Sequence, residues 1–433
     1  MTRTERTYYV VFAAYNTPML IAASYPLFLL SRGLDLLQIH LVLATFLIGS
    51  FLFDVPTGAF ADLFGRKVSF LLSCVIRTTA FVMYAFAGGF RDCLVAEMVD
   101  ALGLTLANGA LDAWAIDGMH AEGRSGPMEG FFARAQVISR SVMIAVGIAG
   151  GYIAQYSFRL AWLVAATGYV ITAILALLLM REAPRPAMAI GDRVYRSVGR
   201  TIRAALVTVR DVPMLRMLCL LTLATAFATM PSHMLWQPRM QQLTGEGAWL
   251  MGWIWAAINL AVIAGSWLVP WVQRRWSREH LLCGASIWRG AMFVVIGLAT
   301  SFVPALAGML FAEIGFALSE PQFQAWMNEH IPPDRRATLL SVRSMSFTLG
   351  GACGLACAGF IARDVGIGPA WLLPAAIFIL TAPGFLLLGR VARRTDAALL
   401  ASSRVSAEVV AALQQTETRR TRKNTIDRAE SIR

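Results

Sequence analysis

Twelve apolar runs, each long enough to cross a bilayer, leave this chain little choice of architecture. A membrane-spanning helix needs roughly 20 apolar residues, because hydrocarbon offers the backbone no hydrogen-bond partners and each span must satisfy its own. Such runs lie near residues 8 to 30, 37 to 61, 68 to 88, 93 to 118, 129 to 155 and 159 to 180. Six more lie near 213 to 240, 248 to 273, 280 to 300, 302 to 329, 336 to 362 and 368 to 390. With 57% hydrophobic and 15% charged residues, a soluble domain of 433 residues would lack the polar surface to cover itself. The reading is an all-α polytopic membrane protein with 12 transmembrane helices. The first run shows no small-residue cleavage site and reads as a retained helix.

A shift of 212 positions superposes the two halves of the chain without a gap. Pro26 meets Pro238, Gly33 meets Gly245, Arg77 meets Arg289, Gly103 meets Gly315, Ala113-Trp114 meets Ala325-Trp326, and Arg124 meets Arg336. The repeat divides the chain into an N-terminal six-helix bundle (1–181) and a C-terminal one (213–392). Between them, residues 182–212 carry an apolar stripe (Val194, Val198, Ile202, Leu206, Val209) opposite Arg193, Arg196, Arg200 and Arg203. That pattern reads as a cytoplasmic amphipathic linker lying on the membrane surface. Residues 393–433 read as a cytoplasmic tail, partly disordered.

The net charge of +12 marks topology rather than nucleic acid. Arg66 and Lys67, Arg124, the stretch Arg181 to Arg216, Arg274, Arg275, Arg278, Arg335, Arg336 and the tail fall on one side if the helices alternate. The positive-inside rule then places both termini in the cytoplasm of a cell inner membrane. The six cysteines are scattered through apolar segments, and Cys353 with Cys357 reads as packing rather than a metal pattern.

One polar segment interrupts the apolar runs: Gly58-Ala59-Phe60-Ala61-Asp62-Leu63-Phe64-Gly65-Arg66-Lys67. Gly58 would let two helices approach, Gly65 permits a tight turn, and the cations suit cytoplasmic water. Gly58, Asp62, Gly65, Arg66 and Lys67 fill every position of the loop between the second and third helices of major facilitator superfamily transporters, which the segment resembles. The resemblance implies two six-helix halves related by a pseudo-twofold axis, with a substrate site between them near the bilayer midplane. It also implies that Asp117 pairs with Arg66 and that Asp62 faces the N-terminus of the eleventh helix in the outward-open state. The second copy of the loop is degenerate, with Pro270, Arg274 and Ser277 where the first has Gly58, Asp62 and Gly65.

Ionisable residues at membrane depth mark either function or structural pairing. Asp54 and Arg77 are equidistant from the turn near residues 65 and 66, so a buried ion pair between them is expected, with a gating or proton role as the alternative. The fourth run carries Glu97, Asp100, Asn108, Asp112 and Asp117. Glu97 and Asp100 share one face, Asn108 and Asp112 a neighbouring one, a ladder able to pass protons. In the tenth run Glu313 and Glu320 share a face, with Pro321 freeing backbone carbonyls. Asp100, Glu97, Glu320, Glu313 and Asp112 are thus the proton-coupling candidates. Arg134, Arg140 and Arg343 either meet an anionic substrate or neutralise Asp112, Glu97 or Glu320. The substrate-cavity candidates are Tyr15, Asn16, Tyr25, Asn108, Arg140, His233, Trp236, Gln237 and Arg343.

The segment Glu97 to Asp117, with the lead-in Pro56-Thr57-Gly58, resembles a branch of facilitators made up largely of drug and metabolite exporters. Where many proton-driven exporters carry arginine and glutamine before the glycine of the fourth helix, this chain has Val99 and Leu102. The function so implied is proton-coupled efflux of small amphipathic molecules by a monomer, with no cofactor beyond the proton gradient and no partner beyond substrate and lipid. Transport of an anionic metabolite is the alternative, and a non-transporting sensor on the same fold a remote one. Enzymes are disfavoured because no zincin, nucleophile-elbow or phosphate-loop motif occurs.

Overall fold

A computed structural model describes residues 1–124, 126, 128–182, 213–330 and 336–393; the linker from 183 and the tail from 394 lie outside the described residues. The described chain is helical. Eleven helices are long and apolar enough to cross a membrane, and a bent pair, Arg3–Ala23 with Tyr25–Ser31, makes the twelfth span. The second to sixth are Leu36–Phe64, Arg66–Phe86, Phe90–Ala121, Gly130–Tyr156 and Phe158–Leu179. The seventh to twelfth are Pro213–Thr244, Ala248–Gln273, Arg278–Leu298, Phe302–Trp326, Val342–Asp364 and Ile367–Arg393.

Local chemistry explains where these helices start, stop and break. Asp35 opens the second span with a capping box: its carboxylate accepts from Gln38 N at 2.8 Å while Gln38 Oε1 accepts from Asp35 N at 3.0 Å. Gly65 ends that span at φ +103°, a conformation costly for any residue with a Cβ. The first span is not one rod, as its unbroken apolar run predicts, but bends by 49° at Ser24, just after a 3-10 turn, Thr17–Ala23. Pro18 and Pro26, which donate no backbone hydrogen bond, flank the bend. The fourth span is interrupted at Asn108 and Gly109, the latter left-handed at φ +70°.

Glycines set the closest approaches. A methyl group on Gly103 would lie 2.5 Å from Arg77 Cγ, and one on Gly315 would lie 2.9 Å from Arg289 Cγ. Both halves therefore use the same device, a glycine in the fourth or tenth span that gives an arginine from the preceding span room to lie flat. The halves themselves meet at the end distant from Met1 and Arg393. There a Cβ on Gly252 of the eighth span would sit 2.7 Å from Gly147 O of the fifth, and Gly359 of the eleventh packs on His40 of the second. Towards the other end of the second span, Asp54, Val55 and Asp62 are exposed and Gly58 has open space around it. Among the described residues, then, the expected helix approach at Gly58 is absent.

Gly103→Ala is expected to destabilise the purified protein by about 1–3 kcal/mol, the usual cost of an added methyl where the neighbour cannot withdraw. Thermal unfolding in detergent measures this; an unchanged midpoint would mean that Arg77 is free to move.

Candidate functional site

The charged residues of the N-terminal half converge on one buried network. Arg77 of the third span makes a two-pronged contact with Asp100 of the fourth, Nε to Oδ1 at 2.8 Å and Nη2 to Oδ2 at 3.0 Å. Its remaining prong, Nη1, donates to Tyr15 OH at 3.0 Å, and its Cζ lies 4.7 Å from the centre of the Tyr169 ring. One turn away, Glu97 accepts hydrogen bonds from Tyr25 OH at 2.9 Å and from Tyr84 OH. Glu97 is 5% exposed, and no cation lies within ion-pair distance of it among the described residues.

This corrects the expected Asp54–Arg77 pair. Arg77 is turned toward the fourth span, where Gly103 makes space, at the level where Gly49 of the second span meets Met98 and Ala101; Asp54 lies five residues further along the second span, exposed and beside Asn108. Asp112 is occupied as well, accepting from Tyr8 OH at 2.7 Å. Asn16 is a packing residue: its Nδ2 donates to Phe12 O at 2.7 Å and its Oδ1 accepts from Ser139 Oγ at 3.0 Å.

Other expected cavity residues turn out to join the halves. Gln237 Nε2 donates across to Ala22 O at 2.7 Å and Arg140 Nη1 to Asn259 Oδ1 at 2.9 Å, while the buried Trp236 stacks near Trp255 of its own half at 6.4 Å. Arg140 therefore has a neutral partner rather than Asp112, Glu97 or Glu320. Arg134 sits 3.5 Å from Glu5, which also accepts from Arg124 at 2.7 Å.

In the C-terminal half a cavity of about 200 Å³ is bordered by His233, Arg289, Glu320 and Arg343 among phenylalanines. Glu320 accepts from Gln324 Nε2 at 2.7 Å, one turn along its own helix. Glu313 lies on the same span but does not border the cavity.

Twelve helical spans in two repeated halves, each carrying an arginine against a glycine, narrow the possible relatives, and a family model decides among them. The model described as Major Facilitator Superfamily matches residues 7–338 and 274–422. The chain belongs to the Major Facilitator Superfamily. It is 23% identical, over 358 residues, to an uncharacterized MFS-type transporter, YxaM, of Bacillus subtilis (strain 168), covering 82% of this chain and 88% of that one. Among solved structures it is similar to a point mutant of the nucleoside transporter NupG, with TM-score 0.75 and 12% identity over 89% of this chain and all of that one (100%). A D-xylose-proton symporter aligns with TM-score 0.69 and 13% identity, covering 88% of this chain and 96% of that one. At such identities these likenesses speak for the fold alone.

In this superfamily member the loop after the second span docks onto its own half. Arg66 Nη1 lies 3.0 Å from Asp117 Oδ2. The N–H groups of Arg66 and Lys67, at the start of the third span, donate to the Glu182 carboxylate at 3.0 Å each, an anion at a helix N-terminus. Lys67 Nζ donates to Leu177 O at 2.9 Å and Met180 O at 2.6 Å, so it caps the sixth span instead of standing in water. Glu182 was not legible as part of this loop, because it is 115 residues away in sequence. Nearby, Glu122 accepts from Thr4 Oγ1 at 2.6 Å. Burial raises its carboxyl, but the hydrogen bonds from Thr4 and Thr2 outweigh this and hold it below the usual carboxylate range. Asp62 is exposed, and the side chains at the start of the eleventh helix lie outside the described residues.

Asp100→Asn leaves the Arg77 guanidinium buried without its counter-charge, an expected loss of about 3–5 kcal/mol. The double variant Arg77→Gln with Asp100→Asn is expected to recover part of that loss. Unfolding midpoints of both single variants and the double test this, and a double loss equal to the sum of the two single losses would show that the charges do not interact.

Proposed function

We propose that this superfamily member is a secondary active exporter of small amphipathic organic molecules, working by alternating access and driven by protons. It sits in a cell inner membrane with both termini in the cytoplasm, in keeping with the positive-inside pattern. The observation that carries the coupling is Glu97: a buried carboxylate held by two tyrosine hydroxyls, beside an Asp100 already neutralised by Arg77. Asp100 serves the ion pair, which leaves Glu97 as the group that takes up and releases the proton. The groups facing it are Tyr25 from the first span, Arg77 and Tyr84 from the third, and Cys93 and Asp100 from its own.

A route from this proton to the moving halves is present in the first span. Tyr25 begins the short helix after the bend, three residues from Ala22, whose carbonyl accepts the cross-half bond from Gln237. With Glu97 charged, both tyrosine hydroxyls donate to it. With Glu97 protonated, the carboxyl itself becomes a donor and the hydroxyls re-orient. That change bears on the segment that clasps the C-terminal half, and so biases the closed distal contact against its open alternative.

The test is reconstitution with a pH-sensitive dye trapped inside the liposomes. Glu97→Gln is expected to lose solute-dependent proton movement while keeping exchange of labelled solute for unlabelled. Proton movement that survives in Glu97→Gln would sink the assignment, and solute flux without any proton signal in the unmodified protein would sink coupling altogether.

A further inference from the structure

The two halves treat their equivalent arginines differently. Arg77 meets Asp100, Tyr15 and Tyr169. Displaced by 212 positions, those three partners become Ala312, Phe227 and Thr381, so Arg289 keeps the place and the glycine groove but loses the acid and both phenols. Arg289 is 6% exposed and sits eleven residues into the ninth span, about 16 Å along it at 1.5 Å per residue. Among the described residues it has no carboxylate within ion-pair distance. Its Nη2 donates to Thr229 Oγ1 at 3.3 Å, and its Nε has no partner. The Phe378 ring covers one face of the guanidinium, with Cζ 4.2 Å from the ring centre, and offers its N–H groups no acceptor oxygen.

Arg289 borders the cavity of about 200 Å³, as does Arg343, itself with an unpartnered Nε. The other titratable groups facing it are Glu320, tied to Gln324, and His233; Glu313 acts on Arg289 from beyond ion-pair distance. Two guanidinium groups therefore face one carboxylate at the cavity wall. A buried guanidinium left unpaired is expensive, and an incoming anion would remove that cost. The remaining wall is aromatic, including Phe316, Phe347 and Phe385. For scale, an apolar cavity of roughly 150 Å³ takes up benzene.

We propose that Arg289 and Arg343 form a binding site for the carboxylate of an amphipathic organic anion, whose apolar body lies against the phenylalanines of the C-terminal half. That the bound anion is cargo rests on the transporter reading above; that it binds does not.

Binding is tested on the purified full chain in detergent, by the unfolding midpoint against concentration of benzoate and phenylacetate, with benzamide and benzylamine as neutral and cationic counterparts. The carboxylates are expected to stabilise saturably and the counterparts not. Arg289→Gln is expected to weaken the response by about 30-fold or more, the usual scale for removing one member of a buried charge pair. Ala312→Asp supplies the acid that the N-terminal half has at Asp100. It is expected to abolish the carboxylate response while keeping or raising the unfolding midpoint without ligand, which separates a blocked site from a damaged fold. No saturable response to either carboxylate, equal stabilisation by benzamide, or an undiminished response in both variants would overturn the proposal. If liposomes show proton exchange for neutral or cationic solutes and benzoate does not bind, the anion site falls and the transporter reading stands. If benzoate binds through Arg289 and no solute of any class moves, the reverse holds.

Discussion

A guanidinium in the middle of a membrane span is tolerable only where something answers its charge and its donors, and that requirement organises both halves of this protein. In the N-terminal half the answer is internal. Asp100 takes two prongs of Arg77, Tyr15 a third, and Tyr169 one face, while Gly103 lets the side chain lie between the third and fourth spans. The third and fourth spans are thereby locked together, and Tyr15 brings in the first. Glu97 then stands as an extra carboxylate beside a satisfied pair, which is what supports the proposal that it carries the proton.

In the C-terminal half the same frame is kept and the answer removed. Gly315 still makes room for Arg289, yet Ala312 stands where the acid would be, and the space beside the guanidinium is a cavity. An internal repeat is informative here because it supplies its own control. The backbone places two arginines alike, and the difference in their surroundings isolates what the second half has given up. A proton-responsive N-terminal half and an anion-receptive C-terminal half, joined at the distal end by Gln237, Arg140 and close glycine contacts, would form a two-part machine.

Much of this was legible in the chain. The spans follow from run length, since the bilayer sets it, and the paired positions of Arg77 with Arg289 and Gly103 with Gly315 already carried the arginine-on-glycine device. Counting outward from the turn does not find the partner of Arg77, because helix tilt and the rotation of each helix about its axis shift which residues come level and which face each other. Arg77 meets the fourth span at Asp100 and Gly103, whereas Asp54 meets it near Asn108. Gln237 and Trp236 lie on one helix face as cavity-lining residues would, and only tertiary packing ties Gln237 to the first span and Trp236 to the eighth. Glu182 and Tyr8 could not be assigned to Lys67 and Asp112 by spacing, since each contact joins residues more than a hundred positions apart.

By itself, then, the sequence determined the membrane class, the number of spans, the repeat and the family loop, because each rests on a local or periodic property: apolar length, register, or a turn that only glycine accommodates. The pairing of the buried charges was decided by tertiary structure. Which carboxylate meets which arginine depends on how helices rotate and how closely glycines let them approach. So does which arginine is left unanswered beside a cavity. Those are properties of packing between spans that no single run of residues contains.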